Sequence, residues 1–450
     1  MAALPHQSKG KVLMITFHYP PSNTSSGGLR PLKLGKYLRE FGWDSSVLTV
    51  PVHCHESTDS GLMQQIPPGV TVHRAFCIDA KAALSIRGRH LGFVVVPDRY
   101  LSWLPFGVRR AVRVVRQEAV DVLFSTSPVP TAHLIALMVK RMTKLPWVAD
   151  FRDPWVETEG SEVYGRMRQA VELRLERRVV HQADLVLVTT PEFGEYLRAR
   201  YGAAVGEKIR VVYNGYDEDD FRDQIGTNAR DDRFTVVHAG LLHPSYRNPV
   251  PVLEAVRRCL DDNALPPTAR INFVGAGGDV ASARLDQLVA DLRLKENVQL
   301  TPRVPYQQAL ALLSEAAVLL LLQGGDDTRT LIPAKAFEYL RTGRLILTLA
   351  PSDSATARLV REFSGSFVAA PTDSVAIARQ LAAAYDAWRR GSRVVDRVQE
   401  GLARYSRRQA AADLGEILEG LTGGDQRNAM TSDRFAGAAR QERGPWAARS

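Results

Sequence analysis

The residues around Glu338 have the types and spacing of an anion-binding site. An apolar run, Val318 to Leu322, ends in a polar loop with two glycines and two aspartates, and a helical pattern follows from Pro333 to Arg341. Proline suits the first turn of a helix, and Gly343 suits its end. A loop that leads from a buried strand into a helix N-terminus offers free N–H groups and the positive end of the helix dipole. The segment therefore predicts a phosphate-binding corner.

Positions within this segment suggest how a nucleotide could lie there. The backbone N–H groups of Leu331 and Ile332 would point toward a diphosphate. Glu338 sits about one and a half turns into the helix, where its carboxylate could accept hydrogen bonds from both hydroxyls of a ribose. A surface glutamate on an ordinary helix would have the same spacing, so the pattern alone leaves both interpretations open.

A second glycine loop occurs near the start of the chain. The strand pattern of Lys11 to Phe17 leads into a loop rich in Pro, Ser and Gly, and an amphipathic helix follows from Pro31. Gly27 and Gly28 would let the backbone approach a phosphate, with Arg30 supplying charge. The dinucleotide motif GxGxxG is absent, and a plain turn would contain the same residues.

The most unusual loop of the N-terminal half is DFRDPW, which contains Asp150, Arg152 and Asp153. It follows an apolar strand, and ligands bind beyond the carboxyl ends of strands in open parallel sheets. We therefore predict that Asp153 contacts a sugar or an acceptor, with Arg152 as its orienting partner or as a phosphate ligand. The alternative is an Asp–Arg pair that only fixes the loop.

Positive charge is concentrated between residues 81 and 116, where eight basic residues stand against Asp98 alone. On a helix that begins near Phe106, Arg109, Arg113 and Arg116 share one face. That face could lie against anionic lipid headgroups or a phosphate-bearing acceptor, or it could be an ordinary solvated face. No recognition module or aromatic stacking pattern accompanies the charge, which argues against nucleic acid.

Composition is that of an ordinary soluble protein of 450 residues with a net charge of +9. Its length allows two or three domains. We expect no signal peptide and no membrane span. The three cysteines are widely spaced, which favours a reducing compartment over a disulfide framework. His53 and His55 lack a second ligand cluster, so no metal is predicted. The expected location is the cytoplasm, with peripheral attachment to the inner face of the plasma membrane as an extension.

Several motifs together resemble the retaining glycosyltransferases of family 4, which have two Rossmann-like domains in the GT-B architecture. The resemblance covers most of residues 11–420, in the right order, and its motifs are KVLMITFHYPPSNTSSGGLRPLKLGKYLREFGW, LPWVADFRDPW, VVYNGYDEDDF and IPAKAFEYLRTGRLIL. It implies an α/β fold with two sheets facing a cleft. The implied units are an N-terminal acceptor domain (1–205), a nucleotide-sugar domain (206–391), a helix returning to the first domain (392–420) and a disordered tail (423–450). Next to the boundary, the acidic string Asp217 to Asp220 is predicted to be solvated.

The resemblance also implies residue roles. The family has two glutamates separated by seven residues, the first on the donor sugar and the second on the ribose. Glu338 fills the second place, while Thr330 stands in the first, where a hydroxyl bonds a sugar more weakly than a carboxylate. The family's sugar-contacting histidine corresponds to Asp153.

The diphosphate ligands follow the same pattern. Arg247 stands where the family has a lysine, and an arginine can bind phosphate bidentately. The family's second cation is replaced by Leu241, which leaves Lys335 or Arg303 as substitutes. Gly275 opens the loop after another strand, and Tyr306 lies where the family's backbone meets the base.

The expected activity is transfer of a sugar from a nucleotide diphosphate sugar to an acceptor hydroxyl, with retention and without a metal or other cofactor. The acceptor would be a glycan, a lipid-linked intermediate or a small molecule in polysaccharide or glycoconjugate biosynthesis. Two alternatives are a nucleotide-sugar 2-epimerase of the same architecture and an inactive nucleotide-sugar-binding protein, which would explain Thr330.

Overall fold

The protein folds into two parallel sheets, each covered by helices on both faces. The computed structural model describes residues 8–23, 28–80, 96–156, 166–222, 233–276, 280–325, 328–392 and 396–423. Parallel strands buried on both faces read as continuous apolar runs, as in Val318–Leu322 with the sequence VLLLL. This arrangement confirms the predicted α/β architecture.

Within the described residues, the first sheet has seven strands in the order β3-β2-β1-β4-β5-β6-β7. Their bounds are β1 Gly10–Ile15, β2 Trp43–Thr49, β3 Thr71–Arg74, β4 Val122–Thr126, β5 Trp147–Phe151, β6 Leu185–Val188 and β7 Ile209–Val211. The predicted domain boundary at residue 205 precedes β7. Because β7 pairs with β6 in the first sheet, that sheet extends to Val211.

The second sheet has six described strands in the order β10-β9-β8-β11-β12-β13. They are β8 Thr235–Ala239, β9 Arg270–Val274, β10 Val298–Thr301, β11 Val318–Leu322, β12 Leu345–Leu349 and β13 Ser366–Ala369. In both sheets the order reverses beside the first strand, β1 or β8. Such switch points create a crevice at the carboxyl ends of the strands.

Helices of the first domain divide between the two faces of its sheet. The described ones are α1 Leu29–Leu38, α2 Trp103–Gln117, α3 Thr131–Thr143, α4 Arg166–Gln182, α5 Pro191–Tyr201 and the single turn α6 Ala203–Gly206. The core of α2 to α5 lies on one face, and α1 lies on the other.

The second domain is built in the same way. Its helices are α7 Val250–Asp261, α8 Val280–Asp291, α9 Tyr306–Glu315, α10 Ala334–Thr342, α11 Ala355–Arg361 and α12 Ser374–Arg389. Pro333 directly precedes α10 instead of occupying its first turn, and Gly343 ends that helix with a positive φ of 75°.

The last described helix, α13 (Arg407–Thr422), packs on the first domain. Its apolar residues Ala411, Leu414 and Leu418 share a core with β1 and α1. The sequence predicted a longer helix, beginning near residue 392. Residues 396–405 instead form turns and a short 3-10 helix, because Arg397 is buried and donates to the carbonyls of the second domain.

The chain crosses between the domains twice, and the two crossings lie side by side. Tyr216 forms an isolated parallel bridge with Ser406, and the Arg407 N–H donates to the Tyr216 carbonyl at 2.7 Å. A Cβ at Gly215 would overlap the carbonyl oxygen of Tyr405. The close approach therefore requires glycine at position 215.

The acidic string beside this crossing was predicted to be solvated, but two of its four carboxylates are buried. Asp217 and Asp220 are buried, and the Lys33 ammonium lies 2.7 Å from a carboxylate oxygen of each. Lys36 and the Tyr37 hydroxyl also bond Asp217. These contacts hold the pKa of Asp217 at about 2, even though burial alone would raise it. The string fixes α1 to the crossing segment.

Candidate nucleotide-sugar site

A cavity of about 1110 Å³ separates the two domains, and the loops at the carboxyl ends of their strands line it. It receives the last residues of β5, β8 and β9 and residues of the loops that follow β1, β4, β10 and β11. The volume is somewhat above the usual range for a small-molecule pocket, which suits two substrates bound together.

Three cations of the second domain line this cavity, Lys335, Arg247 and Arg303. The Lys335 ammonium donates to the Ala239 carbonyl at 2.7 Å, and the Arg247 side chain lies over the Tyr246 ring. Burial, with a further contribution from Arg247, lowers the pKa of Lys335 to about 7. A diphosphate placed here would stabilise the charged form of the lysine. Of the two substitutes considered for the family's second cation, Lys335 is the more deeply buried.

Gly240 provides the space for Lys335. Its φ is 130°, and a Cβ at this position would overlap the lysine Nζ. Gly275 also lines the cavity with a positive φ of 95°. Of the two predicted N-terminal glycines, Gly28 lines the opposite wall directly before α1, and Gly27 lies outside the described residues.

Glu338 lines the cavity on α10 and is not an ordinary surface glutamate. The Tyr306 hydroxyl donates to the Glu338 carboxylate at 2.9 Å. Tyr306 therefore lines the wall and also contacts the side chain that is predicted to bind the ribose. Burial raises the pKa of Glu338, while Tyr306 and Arg407 oppose that shift. Both polar groups could turn to ribose hydroxyls without leaving the site.

Arg407 was not foreseen from the sequence. It is the first residue of α13, it is buried, and it lines the cavity beside Glu338. Burial lowers its pKa to about 10, so it stays charged at neutral pH. Its local sequence does not distinguish it from the neighbouring Arg404 and Arg408. It reaches the cavity because α13 returns to the first domain.

The loop before α10 differs in detail from the prediction. Thr330, Leu331 and Ile332 all line the cavity. The Leu331 N–H, predicted to face a diphosphate, instead donates to the Thr328 carbonyl at 3.0 Å because the loop closes into a turn. The Thr330 carbonyl accepts a hydrogen bond from the Thr190 hydroxyl of the first domain. Thr330 therefore also joins the two walls.

On the first domain, Arg152 and Asp153 both line the cavity. Asp153 is exposed, yet desolvation by the surrounding protein raises the pKa of its carboxyl, and Arg152 opposes that shift. Arg152 is buried, and burial lowers its pKa. The geometry brings both predicted residues to the site.

Arg30, which the sequence placed near a phosphate, is occupied elsewhere. Its guanidinium forms two hydrogen bonds to the Asp150 carboxylate, at 2.8 and 3.0 Å, with both side chains fully buried. It also donates to the carbonyls of Val212 and Tyr213 in the crossing segment, at 3.0 and 2.9 Å. Arg30 and Asp150 therefore fix the fold behind the cavity wall.

His133 is a second residue that sequence reasoning missed. It lies in the first turn of α3, lines the cavity and stacks on Phe151 at 4.7 Å. Its Nδ1 bonds the Ser125 hydroxyl at 2.8 Å, and that hydroxyl accepts from the Trp147 indole at 2.8 Å. In that hydrogen bond either Nδ1 or the Ser125 hydroxyl donates, according to the tautomer of the ring. Burial lowers the pKa of His133 to about 3, so the ring is neutral.

Several buried polar atoms without a hydrogen-bond partner lie on the wall of this cavity. Among the described residues, such atoms on its wall include Asn23 Oδ1, His133 Nε2, Trp155 Nε1, Arg247 Nε and Gln323 Oε1. Buried polar groups are nearly always hydrogen-bonded, and exceptions call for an explanation. A bound hydroxyl-rich molecule would satisfy them.

The predicted basic face lies away from these groups. Arg109, Arg113 and Arg116 are exposed on the outer side of α2, and none lines the cavity. No group of three or more His, Cys, Asp and Glu residues in the described part of the chain could hold a metal ion. None of the described helices is long and apolar enough to cross a membrane.

Two parallel-sheet domains that face a shared cleft, with a last helix returning to the first domain, define the GT-B class of fold. Residues 28–215 match the family of the glycosyl transferase 4-like domain. This match and the fold confirm the resemblance to glycosyltransferases. No curated protein was found to match the chain.

Solved structures agree on the fold. Sucrose-phosphate synthase from Thermosynechococcus elongatus has a TM-score of 0.63 at 16% identity, covering 92% of this chain and 100% of that one. Anabaena HepE in complex with UDP and glucose has a TM-score of 0.63 at 15% identity, covering 91% and 99%. A putative UDP-N-acetylglucosamine 2-epimerase from Listeria monocytogenes has a TM-score of 0.55 at 13% identity, covering 93% and 98%. At these identities the similarity shows the fold alone.

Proposed function

We propose that the protein transfers a sugar from a nucleotide diphosphate sugar to an acceptor hydroxyl, with retention of configuration and without a metal. The observation that carries the proposal is the cleft itself. Cations suited to a diphosphate line its second-domain wall, and neutral polar atoms without partners line its first-domain wall.

The donor would lie on the second domain. Arg247 and Lys335 would hold the diphosphate, and Glu338 would accept hydrogen bonds from the ribose hydroxyls. As the bond between sugar and phosphate breaks, negative charge grows on the leaving diphosphate, and fixed cations stabilise that charge most in the transition state. The Lys335 side chain is suited to this role because added negative charge favours its protonated form.

The acceptor would lie on the first domain, where Asn23, His133 and Trp155 offer unsatisfied hydrogen-bonding atoms. Asp153 and Arg152 border the same space, and Thr330 stands at the junction of the two walls. In a retaining transfer the departing phosphate can take the acceptor's proton, so no side-chain base is required. The complex of HepE with UDP and glucose, a protein of the same fold, supports a nucleotide sugar as the ligand here.

The finer expectations extend this proposal. The acceptor is a glycan, a lipid-linked intermediate or a small molecule of polysaccharide or glycoconjugate biosynthesis. The reaction takes place in the cytoplasm, including the inner face of the plasma membrane. The three buried free cysteines are consistent with that placement.

A nucleotide-sugar 2-epimerase is the second candidate, because epimerases of this fold occur among the similar structures. Such an enzyme needs clustered acid–base groups beside the sugar. Asp150 is committed to Arg30 and to the Thr126 hydroxyl at 2.7 Å, which leaves Asp153 as the carboxylate of that loop at the cavity. The geometry therefore favours transfer over epimerisation.

One assay separates the candidates. Purified protein is incubated with UDP-, ADP-, GDP- and dTDP-sugars, with and without a mixture of sugar acceptors, and hydrolysis, epimer and transfer product are measured. Transfer, or slow hydrolysis of the donor, supports the proposal if the configuration at the second carbon of the sugar does not change. An epimer without transfer supports the second candidate, and binding without turnover supports an inactive binding protein. Absence of any nucleotide-sugar binding at millimolar concentration rejects all three.

A further inference from the structure

One corner of the first domain exposes an unusual number of large apolar side chains. Their relative exposures lie between 43% and 48%, and the residues are Val52, Met63, Phe76, Ile78 and Phe106. Single exposed apolar residues are ordinary, whereas a group of them marks an interaction surface. We call these five residues the apolar corner.

The sheet topology brings the segments that carry these residues to one edge of the first domain. β2 and β3 are neighbours at the edge of the first sheet, with Thr49 paired to Arg74 at their carboxyl ends. Val52 and Met63 follow β2, and Phe76 and Ile78 follow β3. Phe106 lies in the first turn of α2, and its ring meets the Phe76 ring edge-on at 4.9 Å.

The apolar corner continues into the cleft. Between Val52 and Met63 the same loop supplies Asp59 and Leu62 to the cavity wall. Asp59 donates its N–H to the Pro21 carbonyl at 2.8 Å, and Ser22 forms an antiparallel bridge with Thr58. A surface that covered the corner would therefore lie directly beside the mouth of the cleft.

Charge around the corner is positive. Arg109, Arg113 and Arg116 extend from Phe106 along the exposed face of α2, and no carboxylate among the described residues pairs with them. The nearby carboxylates of Glu56 and Asp79 both pair with Arg99. Apolar side chains bordered by unpaired arginines suit a membrane interface with anionic headgroups.

We propose that the apolar corner and the arginine face of α2 dock on the surface of an anionic membrane, with the cleft opening at the headgroup level. The docking itself stands independently of the chemistry in the cleft. Its consequence for the acceptor rests on the proposed function: the acceptor hydroxyl belongs to a molecule anchored in that membrane.

The same domain carries a second basic and apolar face, which serves as a matched control. Met138 and Met142 are exposed on α3, and Arg174 and Arg178 are exposed on α4, which packs against α3. Helix α3 begins at the cleft near His133, and none of these four residues lines the cavity. Docking through this control face would turn the cleft away from the membrane.

The test is co-sedimentation of the full chain with vesicles of phosphatidylcholine alone or with about 30% phosphatidylglycerol, at low and physiological salt. Two variants alter the docking surface, Phe76→Ser with Phe106→Ser and Arg109→Glu with Arg113→Glu. Two alter the control face, Met138→Ser with Met142→Ser and Arg174→Glu with Arg178→Glu. Thermal unfolding and nucleotide diphosphate affinity are measured for every preparation.

The wild-type chain should bind the anionic vesicles, and the affinity of each docking-surface variant for them should be lower by about tenfold or more. One arginine near such a surface contributes about fivefold to this affinity. The control-face variants should stay within about twofold of wild type. Equal losses from both faces, no binding by wild type, or formation of a dimer through the corner would overturn the inference. If these occur while nucleotide affinity is intact, the proposed function stands and only the docking fails.

Discussion

The two walls of the cleft use charge in different ways. On the second domain, Arg247, Lys335 and Glu338 face the cavity, and burial displaces the pKa of both Lys335 and Glu338. On the first domain, Arg30 and Asp150 satisfy each other behind the wall, and the neighbouring opposite charges of Arg152 and Asp153 line the cavity together with neutral polar atoms. A wall whose ionisable groups have pKa values displaced by burial is suited to a charged ligand, whereas a wall whose charges are paired is suited to a neutral one.

The largest effect should come from breaking the paired charges of the first wall. Replacing Asp150 with Ala leaves the Arg30 guanidinium buried without its carboxylate, which should lower the free energy of unfolding by about 3–5 kcal/mol. Chemical denaturation measures this change. The exposed pair Arg257–Asp261 provides the control, since Arg257→Ala should cost less than about 1 kcal/mol. Similar costs for both would show that the two walls do not differ in this way.

The next effect concerns the ribose ligand of the second wall. Glu338→Gln keeps the shape of the side chain but removes its charge, so the affinity for a nucleoside diphosphate should fall about tenfold to a hundredfold. Calorimetric titration measures the affinity. Tyr306→Phe, which removes the hydroxyl that now bonds Glu338, should cost less than about tenfold. An unchanged affinity in Glu338→Gln would remove the ribose assignment.

The pH dependence of binding tests Lys335. Its pKa of about 7 means that the free protein holds this proton below pH 7 and has lost it above. A bound diphosphate favours the proton, so binding above pH 7 must take one up. Affinity should therefore fall as pH rises from 7 to 9, by up to about tenfold per pH unit. In Lys335→Met this slope should vanish.

Arg247→Met provides the matched comparison for that experiment, because it removes a cation that does not titrate in this range. Its affinity should be lower at every pH while the slope remains. A wild-type slope that persists in Lys335→Met would assign the titration to the ligand or to another group.

The smallest effect should appear on the first wall. His133→Phe keeps the stack on Phe151 but removes Nε2, so the KM for the acceptor should rise about fivefold to tenfold, as expected for one neutral hydrogen bond. Donor affinity should not change. Steady-state kinetics with each substrate varied in turn separates the two. A loss of donor affinity instead would show that the walls do not divide the substrates.

The local pattern of the sequence was sufficient for much of the second wall. The apolar run of β11, the helix that ends at Gly343 and the position of Glu338 all follow from short-range preferences. These features depend on burial periodicity and on backbone geometry, both of which a single segment records. The fold class could be predicted for the same reason.

Contacts that join distant segments could not be predicted in the same way. Asp217 looks solvated until α1 brings Lys33 and Tyr37 against it. His133 looks like a core histidine until the fold places it on the cavity wall with Nε2 lacking a partner. Arg407 owes its place to a helix that crosses from one domain to the other. In each case the deciding partner is far away in the chain.

The paired crossings at Tyr216 and Ser406 also limit how the domains can move. A single connecting strand would let one domain swivel about the chain direction as well as tilt. Two adjacent strands, bridged to each other and held tightly at Gly215, resist swivelling because it would separate them. The remaining motion is a tilt about one axis, so every cycle of substrate entry and product release should retrace a single path.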